Sequence, residues 1–234
     1  MHRLLLLLLL FSCQLVFAQT NVLIEAGITR SNFAGGASTG NSYQTSTSPL
    51  TTGFGSIQVD RILSNHYSLF AALSFAVKGT RFTRIDYSNV DQRNIAITYI
   101  VLPVGVTHCV VSTKSGGLRA GVGLYGAFAL SGTEKGTYVT ALNGLSLVYN
   151  NIKINAVPSN QVSPTNIRPF DWGGQARLFY DIHQFRIGIE FTTGLKCVLT
   201  NPDLYDRKYS NTTFSFTGGY RIVSLEKRHK NGSL

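Results

Sequence analysis

From about residue 20 onward, apolar side chains recur on every second residue in short runs, and the runs are separated by stretches rich in Ser, Thr, Asn and Gly. A period of two belongs to a pleated strand with one apolar face, and no helical period of comparable length appears. The first segment sets Val22, Ile24, Ala26 and Ile28 against Glu25, Gly27, Thr29 and Ser31. The third sets Tyr67, Leu69, Ala71, Leu73, Phe75 and Val77 against Ser68, Phe70, Ala72, Ser74, Ala76 and Lys78. The fifth, Leu118 to Ser131, puts Leu118, Val122, Leu124, Phe128 and Leu130 on one face and Arg119, Gly121, Gly123, Tyr125 and Ser131 on the other.

The sixth, seventh and eighth segments repeat the pattern. Trp172, Leu178 and Tyr180 oppose Asp171, Gln175, Arg177, Phe179 and Asp181; Phe185, Ile187, Ile189 and Phe191 oppose Arg186, Gly188, Glu190 and Lys196; Phe214, Phe216, Tyr220 and Ile222 oppose Ser215, Thr217 and Arg221. Two segments are less regular. In the second, roughly 53–63, Ile57 and Val59 oppose Ser56, Gln58 and Asp60, but Phe54 and Ile62 break the parity. The fourth, Asn94 to Val111, changes phase near Pro103, where a bulge is expected because proline cannot donate to the ladder.

The connections alternate as well. Ser64–His66, Ser112–Gly116 and Asp181–Gln184 are short turns, whereas 33–52, 84–93, 132–168 and 200–211 are long. Short turns on one rim and long, solvated loops on the other predict an eight-stranded antiparallel transmembrane β-barrel of the all-β class, with short periplasmic turns and long extracellular loops. An even strand number also brings both ends of the barrel to the periplasmic side.

Alternation by itself fits a soluble β-sandwich or a lipocalin-like barrel equally well. Composition separates them. Only 14% of residues are charged, against about 25% in ordinary soluble domains. The second face of each segment is mostly Gly, Ala, Ser and Thr with an occasional charge, which suits the crowded interior of a narrow barrel. Aromatic residues sit near segment ends: Tyr67, Tyr180, Phe185 and Tyr220 toward the short turns, Phe170, Trp172 and Phe214 toward the loops. They match interfacial girdles.

The N-terminus bears on location. Arg3 precedes a run of leucines from Leu4 to Leu10, and Val16-Phe17-Ala18 forms a cleavage site before Gln19. Residues 1–18 are expected to be a cleaved signal peptide, 19–223 the barrel and 224–234 a basic tail. Lipidation at Cys13 is the alternative to cleavage after Ala18. No later window is long and apolar enough for a transmembrane helix. Cys109 and Cys197 are expected to be isolated thiols.

The order and spacing of several pieces resemble the PorT-like family of outer-membrane β-barrel proteins. They are Ala26-Gly27-Ile28-Thr29-Arg30-Ser31-Asn32-Phe33, Val77-Lys78-Gly79, Tyr99 to Val104 around Pro103, Ala120 to Gly126, Asp171-Trp172-Gly173-Gly174 and Phe214 to Arg221. The resemblance covers nearly the whole mature chain. It implies a cell outer membrane location and an eight-stranded barrel, and permits an accessory role in protein secretion or envelope assembly. The tail beyond Ser224 departs from barrels that end on an aromatic residue.

Candidate chemistry is sparse. Gly121 to Gly126 matches G-x-G-x-x-G as a string, but a dinucleotide site needs it at a strand-to-helix turn. The five histidines show no metal-ligand spacing, and His108 is the one strand-borne candidate for a lipid-modifying or proteolytic site. The expectation is therefore a non-enzymatic protein without cofactor or metal. Glu25, Lys78, Arg119, Asp171, Arg177, Arg186, Glu190, Lys196 and Arg221 share the inner face and are predicted to form a charge network that fills the lumen. Expected partners are outer-membrane lipid and a protein at the extracellular loops, foremost 132–168; nucleic acid is not expected.

Overall fold

Apolar residues on one face of a strand must find an apolar neighbour, and a strand edge must find another strand. The computed structural model meets both demands by closing a sheet on itself. It describes residues 19–34, 38–39, 43–86, 89–113, 115–140, 146–154, 168–195 and 210–225. The ring is formed by β1 (Thr20–Ala34), β3 (Tyr43–Ile62), β4 (Tyr67–Asp86), β5 (Asn89–Ser112), β6 (Gly116–Thr140), β8 (Phe170–Ile182), β9 (Phe185–Gly194) and β10 (Ser210–Leu225). Each pairs antiparallel with its neighbour, and β1 closes the ring by pairing with both β10 and β3. Two further pieces, β2 (Ser38–Thr39) on β3 and β7 (Ser146–Ile154) on β6, lie outside the ring.

The apolar residues of the pattern point outward. Val122 is 66% exposed, Ile28 63% and Leu124 60%, which in water would be a liability and in lipid is the required surface. A band about 25 Å tall, crossed at about 3.3 Å per residue by strands tilted some 40°, needs about ten residues. β9 has 10, but β5 has 24 and β6 has 25. Thus β3 to β6 continue past the band as a tall blade, which β7 extends. The segments 43–52, 84–86, 89–93, 132–140 and 146–154, expected as loop, are strand. In 43–52, 89–93 and 132–139 the polar residues do not alternate in hydropathy because neither face meets the hydrocarbon of the bilayer, so the period-two signal vanishes while the pairing persists.

The fourth segment differs from its reading. Odd residues of β5 face inward on both sides of Pro103: Ile95, Ile97, Tyr99, Val101, Thr107 and Cys109 are all buried. What changes around Pro103 is which face is apolar: outward at Val106, Val104, Leu102 and Ile100, inward from Val101 up to Ile95. Pro103 keeps its register opposite Tyr125, and the ladder with β4 is interrupted between Ala71–Val104 and Ser74–Val101 without slipping. A missing N–H costs a ladder bond there and not a residue of register.

The bulges lie elsewhere. Leu130 is inserted between the Tyr99–Ala129 and Thr98–Ser131 pairs, so Leu130 and Ser131 are both exposed and the inward positions move to Gly132 and Glu134. Other register shifts fall at Val22/Leu23, Pro49/Phe54 and Cys109/Val111. Phe54 turns inward against the interior cluster. This explains its broken parity: the upper lumen is itself apolar.

Candidate functional site

The lumen is where the fold gathers its chemistry, because the pleat sends every second side chain there. It is layered. Nearest the short turns lies an ion-pair cluster centred on Arg186, a buried residue two positions after the His183–Gln184 turn. Its Nε donates to Asp181 Oδ1 at 2.7 Å, Nη2 to Asp60 Oδ2 at 2.8 Å and Nη1 to Glu25 Oε1 at 3.4 Å. Its guanidinium also lies 3.9 Å from the centre of the Phe179 ring.

One level higher, Arg177 Nη2 donates to Glu25 Oε2 at 3.2 Å and Nη1 to Gln58 Oε1. Gln58 Nε2 donates to Asp60 Oδ1 at 2.6 Å, which links the two arginines through one amide. Arg119 and Arg221 approach Asp181 Oδ2 at 3.4 Å and 4.0 Å. Cations and anions therefore alternate through the cluster, the arrangement that makes buried charge tolerable.

Phe70 lies in the same layer and explains part of the glycine string. A Cβ at Gly105 would come within 2.6 Å of its ring, and one at Gly123 within 3.1 Å of the ring and 2.4 Å of Val104 O. The G-x-G-x-x-G run leaves room for an aromatic side chain inside the wall, with β6 continuing unbroken through it.

Above this layer is a small chamber of 40 Å³ lined by Glu25, Gln175, Lys78, Arg177 and Glu190 among others, room for a few waters at ~10–15 Å³ each. Lys78 Nζ, Gln175 Nε2 and Arg177 Nε have no hydrogen-bond partner among the described residues. Lys78 Nζ sits 4.4 Å from the centre of the Tyr125 ring, and Arg177 Nε is 3.9 Å from Glu190 Oε2. Asp171 Oδ2 accepts from Tyr125 Oη at 3.1 Å and Asn211 Nδ2 at 2.9 Å.

Toward the long loops the lumen is apolar. Phe33, Phe82, Ile95, Ile97, Tyr99, Val101, Ala127 and Ala129 form one buried cluster. Higher still, Arg93 pairs with Asp91 and with Glu134, the latter at 3.1 Å.

Of the residues singled out in the sequence, Glu25, Lys78, Asp171, Arg177 and Arg186 are buried in the lumen, and Arg119, Glu190 and Arg221 are half-buried on the same side. Lys196 lies outside the described residues, as do residues 1–18, Cys13, Cys197 and the tail beyond Leu225. Arg186, Arg177, Arg119 and Arg221 are brought together with Glu25; Lys78 and Asp171 stand apart near Tyr125. Asp60, Asp181 and Gln58 complete the cluster and were not singled out, although their parity placed them on the inner face. Tyr99 was hidden by the phase reading of its segment.

His108 is exposed on the outer wall, its ring 4.9 Å from that of Tyr67 and 6.1 Å from His66. Cys109 is a buried free thiol. Among the described residues no three His, Cys, Asp or Glu side chains gather as a metal site.

A closed ring of eight strands with an apolar outside and a charged, filled inside defines an integral β-barrel of the outer membrane. The chain belongs to the outer membrane protein beta-barrel domain family, whose profile matches residues 17–199, and it is a protein of the cell outer membrane. No curated relative matches the sequence. Among solved structures it is similar to the outer membrane protein OprG of Pseudomonas aeruginosa, at 8% identity and a TM-score of 0.49, covering 88% of this chain and 97% of that one. It is also similar to the attachment invasion locus protein Ail of Yersinia pestis, at 11% identity and a TM-score of 0.38, covering 88% and 99%. Neisserial surface protein A matches at 8% identity and a TM-score of 0.34, covering 86% and 97%.

Proposed function

We propose that the protein is a sealed, non-enzymatic barrel that anchors an extracellular blade, and that the blade is its binding element. The observation that carries this reading is the double obstruction of the lumen. An ion-paired layer around Arg186 closes the short-turn end, and the apolar cluster around Tyr99 and Ile97 closes the other, with the small chamber between them. The energy spent on extending β3 to β6 beyond the membrane then makes sense as presentation of a surface. Against an enzymatic role stands His108, which faces outward on Tyr67 and away from every lumen carboxylate.

Planar-bilayer recording of the purified barrel tests the proposal. The expected result is no ohmic step above the bare-membrane leak. Stable steps from the wild-type protein would refute a sealed lumen.

A second reading is an accessory role in secretion or envelope assembly, in line with the PorT-like resemblance. It is favoured by β7, whose only strand partner among the described residues is β6. An edge of that kind can accept a strand from a protein partner. Removing residues 141–167 should leave heat-modifiable gel mobility intact; loss of secretion in that variant would support this reading, and unimpaired secretion would count against it.

A further inference from the structure

Acidic and basic residues are not distributed alike over the two faces of the wall. Among the described side chains, all seven acids lie on the inner side: Glu25, Asp60, Asp91, Glu134, Asp171 and Asp181 are buried, and Glu190 is half-buried against the chamber. Basic residues appear on both faces, and Arg30, Arg81 and Lys135 are exposed. Among the described side chains the outer face is therefore basic without compensating acids, and two of its cations, Arg81 and Lys135, fall in one row.

The register places them. Ser48 pairs with Arg81, Arg81 with Asn94 and Asn94 with Lys135, so one row crosses four strands on the outside of the blade. All four are exposed. The row above it runs through Thr83, Gln92 and Thr137, and together they line a shallow hollow of 550 Å³. Below the rows the same face is apolar, ending at Val77 on β4, Ile100 on β5 and Leu130 on β6. Arg81 lies four residues past Val77, about 10 Å above the band edge at the tilted rise of a barrel strand. Ordinary headgroups add about 5–8 Å to each face of the hydrocarbon core, within reach of a long Arg or Lys side chain that bends toward them.

We infer that this face docks a phosphorylated glycolipid of the outer leaflet, with Arg81 and Lys135 receiving its phosphates and Ser48, Asn94 and Gln92 its sugar hydroxyls. One strand, β5, separates the cations, and two strand spacings put them about 10 Å apart, so each takes a different anionic group. Arginine presents a fork suited to phosphate, and lysine a point charge. The inference rests on the blade lying outside the cell and is independent of whether the lumen is sealed.

The test uses the full chain in nanodiscs and reads lipid retained through purification by native mass spectrometry. The probes are bis-phosphorylated lipid A, the same lipid after phosphatase treatment, and inorganic phosphate as competitor. Wild type is expected to retain the phosphorylated form at least ten-fold over the dephosphorylated one. Arg81→Gln with Lys135→Gln should bring that ratio near unity, and Arg81→Lys should keep most of it; both should keep heat-modifiable mobility. Equal retention of the two lipids, an unchanged ratio in the double variant, or displacement by millimolar phosphate would overturn the inference. A cysteine placed at Thr137 in a Cys197→Ser background should react with an impermeant maleimide on intact cells. Failure to react would overturn it through the orientation alone, whatever the lipid ratios.

Discussion

Replacing Arg186 by methionine removes the centre of the lower lumen and keeps most of its volume. Three carboxylates lose a donor at once: Asp181 at 2.7 Å, Asp60 at 2.8 Å and Glu25 at 3.4 Å. Removing one partner of a buried ion pair typically costs about 3–5 kcal/mol, because the stranded charge stays desolvated. Here each carboxylate keeps a second donor or cation. Glu25 retains Arg177 at 3.2 Å, Asp60 retains the Gln58 amide at 2.6 Å, and Asp181 retains Arg119 at 3.4 Å. These fallbacks put the expected loss at the low end, about 3 kcal/mol.

Adding Asp60→Asn and Asp181→Asn to the methionine variant removes two of the stranded charges and should recover more than half of the loss, a strongly non-additive result. Urea unfolding in a lipid mimetic measures both, followed by the fluorescence of the single tryptophan, Trp172, on the outer wall. If Arg186→Met stayed within about 1 kcal/mol of wild type, below the range for a buried charge, the ion-pair layer would not be what holds this end of the barrel together.

Two other perturbations address the remaining layers. Tyr125→Phe removes the phenol that donates to Asp171 Oδ2 and leaves Asn211 as the donor; a loss of about 1.5–3 kcal/mol is expected for a hydrogen bond to a charged group, and unchanged unfolding would show that Asp171 does not need it. Leu124→Arg puts a charge on the lipid face and should cost about 2–4 kcal/mol near the midplane; equal stability in thin and thick bilayers would argue that Leu124 does not face lipid.

The face on which most residues of the membrane band lie was legible along the chain. Alternation is a property of the pleat, fixed within two or three residues, so Leu73 and Phe75 outward or Arg177 and Asp181 inward needed no knowledge of any other strand. The closed barrel was legible too, because an apolar face with so little charge opposite it leaves a soluble sheet without a surface. Where the lipid ends, the same logic lost its signal: the blade of β3 to β6 has polar residues on its outer face, and hydropathy does not reveal such strands. Pro103 misled for a related reason, since the apolar face changes sides there while the backbone does not. Which charges meet was decided by the tertiary structure alone. Arg177 and Glu25 are 152 residues apart, and Arg186 and Asp60 are 126 apart. They come within hydrogen-bonding distance only because β1 closes the ring between β10 and β3, and ring closure depends on the register and bulges of all eight strands, which no local pattern encodes.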